Sequence, residues 1–175
     1  MKIAIIGAGN MASAHLKVLD GMPDVEVVGV MSRTISKAKM LAENFKIPAV
    51  FNNIRELYNQ TSADGVIIAV NELSTETVCL EAIQYPWTLL VEKPIGLDLA
   101  TTLRIKQKVK ENNSDFFVGM NRRHYSSVQT AKHVIDKIDG ERVIKIVDQE
   151  DPSSALEQGR KKKYVIDGIL QTQSI

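Results

Sequence analysis

Short runs of isoleucine, valine and leucine alternate with amphipathic stretches along most of the chain, and the alternation predicts a series of strands and helices. Lys2 to Ile6 is an apolar run bounded by Gly7 and Gly9, as expected of a strand covered on both faces. The next stretch sets Met11, His15, Val18 and Leu19 near helical spacing and stops at Asp20-Gly21 and Pro23. The same rhythm predicts strands over 25–31, 49–51, 65–70, 88–91 and 116–118. Helices are predicted over 36–45, 54–58, 75–84 and 99–110, the last capped by Asp98. Parallel neighbours need crossover connections, so strands that alternate with helices in this way predict an α/β fold, a doubly wound parallel sheet over 1–120. Beyond it the rhythm changes to a helix over 126–138, a strand-like stretch over 143–148 and a tail with a last apolar segment from Tyr164. One helix and one or two strands are too few for a separate sheet domain, so 121–175 is expected to be an incomplete α+β second domain.

Composition narrows the classes of partner. The 175 residues are 44% hydrophobic and 25% charged, ordinary for a globular protein with a real core. Lys plus Arg at 22 against Asp plus Glu at 21 gives a formal charge of +1, so no global field recruits nucleic acid or an anionic membrane. Arg160 to Lys163 carries no interleaved aromatics and is expected to be a solvated basic face. The single cysteine, Cys79, cannot close an intrachain disulfide, and with His15, His124 and His133 scattered no metal site is expected. The opening MKIAIIGAG is too short for a signal-peptide core, and no run approaches the ~20 apolar residues of a membrane span. A cytoplasmic location and no membrane partner are the expectation.

Gly7-Ala8-Gly9-Asn10-Met11-Ala12 matches G-x-G-x-x-G/A directly after the first strand and before the first helix. Gly7 permits the tight turn, Gly9 lets a pyrophosphate approach the backbone, and Ala12 permits close helix packing while the helix N-terminus faces the anion. This context makes the sheet a Rossmann-type one and puts Gly7, Gly9, Asn10 and Met11 among the expected cofactor-binding residues. At the end of the second strand, where an acidic residue would take a ribose 2′-hydroxyl, stands Met31-Ser32-Arg33-Thr34. Ser32 and Arg33 can bond and pair with a 2′-phosphate, so NADP is expected ahead of NAD. The bland alternative is that Ser32 and Thr34 only cap the following helix while Arg33 is a surface charge. Val70-Asn71 and Val91-Glu92-Lys93-Pro94-Ile95-Gly96 lie at two further strand ends, where such a sheet opens its ligand crevice. Packing alone accounts poorly for Glu-Lys-Pro there, because Glu and Lys are rarely buried unpaired and proline stops a strand.

These motifs resemble the Gfo/Idh/MocA oxidoreductases over essentially the whole chain: IIGAGNMASAHL looks like the family's opening, VEKPIG like its Glu-Lys-Pro motif, and VGMNRRHYSSV like the segment leading into its second domain. The resemblance implies that Glu92 and Lys93 lie by the nicotinamide ribose, that Lys93 reaches the substrate and is catalytic, that Lys93-Pro94 is cis, and that Asn121 borders the site. It implies oxidation of a secondary alcohol on a sugar or polyol with NAD(P), and a homo-oligomer. Gly168 to Ile175 looks like the start of the family's G-x-x-x-D-x-x-x-H helix, with Thr172 at the acidic position and the histidine falling just after Ile175. A chain truncated in its second domain, and lacking that histidine, is therefore expected. Thr75 stands where another family histidine is often found. The rival expectation, from a different class, is a non-catalytic dinucleotide-binding protein that senses cofactor. Arg122-Arg123-His124 could touch the cofactor or anchor a hinge. Cys79 is expected to be a core thiol, His15 and His133 ordinary helix residues, and Trp87 a cover for the sheet edge.

Overall fold

The computed structural model describes residues 1–141, 143 and 145. The chain divides into two units that meet between Gly119 and Met120. In the first, strands β1 (Lys2–Ile6), β2 (Glu26–Met31), β3 (Val50–Phe51), β4 (Gly65–Ile68), β5 (Thr88–Val91) and β6 (Phe116–Val118) form one sheet in the order β3-β2-β1-β4-β5-β6, every pair parallel. Between them run α1 (Asn10–Leu19), α2 (Ile35–Phe45), α3 (Ile54–Thr61), α4 (Glu72–Ala82) and α5 (Leu99–Glu111). This is the expected Rossmann-type α/β sheet.

The two faces follow from the period-two alternation of each strand. On β1, Ile3 and Ile5 point to a layer with Ala12 and Leu16 of α1 and Ala38, Leu41 and Ala42 of α2. Ala4 and Ile6 point the other way, to Ile54 and Leu57 of α3, Cys79 and Ala82 of α4, and Ile105 of α5. Asp98 caps α5 as expected, its carboxylate accepting from the Thr101 N–H at 2.7 Å, and that bond holds its pKa below the usual carboxylate value. The edges of the sheet are its two shortest strands, β3 with two residues and β6 with three.

Several boundaries differ from the sequence expectation. The β4 strand stops at Ile68, and α4 begins at Glu72 rather than near Thr75, while α3 runs on to Thr61. Trp87 does not cover an edge: it is buried just before β5, its ring centroid 5.4 Å from Tyr58 and 5.0 Å from Tyr85. Its burial between α3 and the loop that enters β5 makes it part of the core.

Cys79 is fully buried, and desolvation pushes its thiol up to about 12. A thiolate is the reactive form. The folded protein is therefore expected to resist an aromatic disulfide reagent at pH 8 and to release one equivalent of thiol only after denaturation, and rapid native labelling would contradict this burial.

The described part of the second unit holds a 3-10 turn, Asn121–His124, and a helix α6, Ser126–Ile135, which ends three residues before the expected Ile138. Of the expected strand over 143–148 only Val143 and Lys145 are described, and the segment from Gly168 to Ile175 lies outside the described residues. No helix among the described residues is long and apolar enough to cross a membrane.

Candidate functional site

The strand order reverses at β1: the chain first builds outward through β2 and β3, then returns to place β4 on the other side. A crevice opens at such a switch point, outside the carboxyl ends of the strands. Every candidate residue of the first unit stands at one of those ends.

At the end of β1, the Gly7 N–H donates to the Met31 carbonyl at 2.8 Å, and Gly7 adopts φ +120. A Cβ there would lie 2.1 Å from the Ala69 carbonyl oxygen, so backbone conformation and the neighbouring strand both demand glycine. Gly9 differs. Its φ of −101 suits any residue, and a Cβ on it would meet no protein atom within 4 Å. Nothing among the described residues requires glycine at that position, and the space beside it is open. Gly9 is the N-cap of α1 but offers no side-chain cap, and the first turn carries no acidic residue. The first-turn N–H groups of Asn10, Met11 and Ala12 thus have no side-chain cap, and such a helix N-terminus can receive an anion. Ala12 is fully buried against the sheet, as close packing of this helix requires.

At the end of β2, Arg33 is exposed, and one guanidinium N–H donates to Ser74 Oγ at 2.8 Å. Ser74 lies in the first turn of α4, and its hydroxyl donates in turn to Asn71 Oδ1 at 3.0 Å. Ser32 Oγ accepts from the Thr34 N–H at 3.2 Å, whereas Thr34, at the N-cap of α2, makes no side-chain cap. Ser32, Arg33, Val70 and Asn71 therefore come together around the exits of β2 and β4. Thr75 is buried, with its hydroxyl donating to the Asn71 carbonyl at 3.3 Å, so it is spent on the helix start.

At the end of β5, Glu92 is not an unpaired buried carboxylate. Its Oε1 lies 2.8 Å from His15 Nε2, with side-chain exposures of 17% and 23%. A carboxylate only accepts, so His15 Nε2 carries the proton of this bond. The histidine expected to be an ordinary helix residue instead ties α1 to the Glu-Lys-Pro segment across β4. The Gly119 backbone continues the pairing of β6 with β5, its N–H donating to Val91 at 2.8 Å, and a Cβ on it would come within 3.3 Å of Glu92 Oε1. Lys93 is exposed, enters none of the ion pairs found among the described residues, and precedes a cis bond to Pro94, as the resemblance implied.

Asn121, Arg122, Arg123 and His124 share the 3-10 turn of the second unit, where Arg123 donates to Met120 Sδ at 3.4 Å and Gln129 donates to the Arg123 carbonyl. A cavity of about 340 Å³ opens at the other end of the sheet, by Trp87, Thr88 and Asn112 to Asp115, and no candidate residue borders it.

Comparison with known proteins agrees with this arrangement. The profile of the Gfo/Idh/MocA oxidoreductase family, NAD-binding Rossmann fold, matches residues 1–120. Glucose-6-phosphate 3-dehydrogenase of Bacillus subtilis is 28% identical over 163 residues, covering 93% of this chain and 45% of that protein. Inositol 2-dehydrogenase of Salmonella paratyphi B is 26% identical over 139 residues, covering 78% of this chain and 41% of its own length. The structure of myo-inositol dehydrogenase from Lactobacillus casei with NAD(H) and myo-inositol superposes with a TM-score of 0.73 at 25% identity, over 78% of this chain and 41% of that one. The chain thus spans less than half the length of these relatives. With the glycine turn, the parallel sheet and the Glu-Lys-Pro segment all in their expected positions, the chain belongs to the Gfo/Idh/MocA oxidoreductase family through an NAD-binding Rossmann domain.

Proposed function

We propose that the chain serves an NADP-preferring oxidoreductase that acts on a secondary alcohol of a sugar or polyol. The observation that carries this reading is Glu92, held by His15 next to an exposed Lys93 at the carboxyl end of β5, on the same rim of the sheet as the glycine turn. The activities of the relatives, on glucose 6-phosphate and on inositols, support the substrate class.

When bound, the nicotinamide cofactor supplies a hydride acceptor or donor. The Gly7–Gly9 turn, Asn10 and Met11 bind its pyrophosphate, because the first-turn N–H groups of α1 lack a side-chain cap. Arg33 and Ser32 read the ribose end, where a planar cation suits a 2′-phosphate and the β2 exit, Met31 to Thr34, holds no carboxylate. Val70 and Asn71 line the crevice between these ends. Lys93 holds or moves the proton at the carbinol oxygen, or supports the developing alkoxide electrostatically. Glu92 fixes the approach of the segment bearing Lys93. A homo-oligomer in the cytoplasm, with no nucleic-acid partner, belongs to the same proposal.

NADPH is expected to bind at least about tenfold more tightly than NADH, and Arg33→Ala to remove the difference, a loss of ~1.4 kcal/mol in discrimination. Calorimetric titration of both cofactors measures this, followed by turnover with glucose 6-phosphate and a panel of inositols. Equal affinities in the wild type remove the NADP assignment. Tight cofactor binding with no turnover on any polyol replaces the enzyme reading with that of a cofactor-binding protein.

A further inference from the structure

We propose that Ser74 is a specificity-determining positioning residue, which holds Arg33 in place for a 2′-phosphate before the cofactor arrives. The proposal rests on the NADP preference argued above and adds to it the device that produces the preference. Arg33 lies two residues beyond β2, and Ser74 lies in the first turn of α4, six residues beyond β4. These strands are not neighbours, since β1 runs between them. At about 4.8 Å per strand spacing, β2 and β4 lie roughly 10 Å apart, and the Arg33 side chain reaches from the loop after β2 to a hydroxyl at the start of α4. An exposed arginine is ordinarily free to sweep through many rotamers. Here its guanidinium is anchored at 2.8 Å to the hydroxyl of a serine that is only 8% exposed.

The anchor is directional. Ser74 Oγ donates its one proton to Asn71 Oδ1 at 3.0 Å and is left as an acceptor toward Arg33. Asn71 is the N-cap of α4, so the orientation of its amide and that of the guanidinium are set by the same hydroxyl. Ser74 engages one of the five N–H donors of Arg33 and orders the plane that carries the others. The rotamer freedom that a long side chain surrenders when it binds an anion is thereby given up in advance. Only a ligand with charge at that point gains from this ordering: a phosphate dianion gains strongly, a neutral 2′-hydroxyl hardly at all. A serine with no role beyond the helix start would affect both cofactors alike.

Binding of NADPH and NADH to the full chain, measured by calorimetry, separates these cases. Ser74→Ala is expected to weaken NADPH about tenfold and to change NADH less than about twofold, whereas Ser74→Thr, which keeps the hydroxyl, stays within about threefold of the wild-type ratio. In an Arg33→Ala background the Ser74→Ala change is expected to have no further effect, because the two act as one unit. Thermal melts of each variant check that the fold is intact. If Arg33→Ala lowers the NADPH-to-NADH ratio and Ser74→Ala leaves it unchanged, or lowers both affinities equally, the positioning role is overturned while the NADP assignment stands. If the wild type shows no NADPH preference, the assignment itself falls and this inference with it.

Discussion

Gly7→Ala is expected to destabilise the fold by about 3 kcal/mol or more, whereas Gly9→Ala, two residues on, costs less than about 1 kcal/mol as a change of helix N-cap and instead weakens dinucleotide binding. The contrast follows from what surrounds each position. At Gly7 a methyl group would have to accept the left-handed φ of +120 and would meet the Ala69 carbonyl oxygen at 2.1 Å, so the carboxyl ends of β1 and β4 must separate. A domain is stable by only about 5–15 kcal/mol, so this loss is a large part of the total. At Gly9 the methyl meets no protein atom and enters the space above the α1 N-terminus. Urea titrations of both variants, with calorimetric binding of NADPH, measure the two effects. A Gly9→Ala variant that binds as tightly as the wild type would show that the pyrophosphate lies elsewhere.

On the proposed function, Lys93→Ala is expected to lower kcat with a polyol by about 10²–10⁴-fold, the usual contribution of a positioned acid or base. NADPH affinity should stay within about threefold, because Lys93 follows β5 while the proposed phosphate site is at the end of β1, two strands away. Steady-state kinetics beside a binding titration checks this. Undiminished turnover would assign the Glu-Lys-Pro segment to structure alone.

The sheet was legible in the sequence because buried parallel strands read as continuous apolar runs and their turns as glycines. The start of α4 was not legible. Its first residues, Glu72 to Thr77, are mostly polar, and apolar spacing begins only near Val78 and Cys79. The polar residues there make hydrogen bonds of their own: Ser74 accepts from Arg33, and Thr75 donates to the Asn71 carbonyl at the helix start. The role of His15 was hidden for another reason. Its partner lies 77 residues away, and periodicity along one helix cannot report a side chain reached across a neighbouring strand. Local pattern discloses elements and glycine turns, whereas the pairings that assemble the site, His15 with Glu92 and Arg33 with Ser74, exist only once the sheet order is known.

The sheet ends on strands of two and three residues, and that brevity limits how copies of the chain can meet. A long free strand invites another chain to add to it and extend the sheet, a path toward uncontrolled aggregation. Here each border exposes only a few backbone groups, too short a template for stable strand addition, since even an isolated hairpin is marginal in water. Self-association through this sheet, if measured in solution, is therefore expected to run over side-chain surfaces and not by strand addition at β3 or β6.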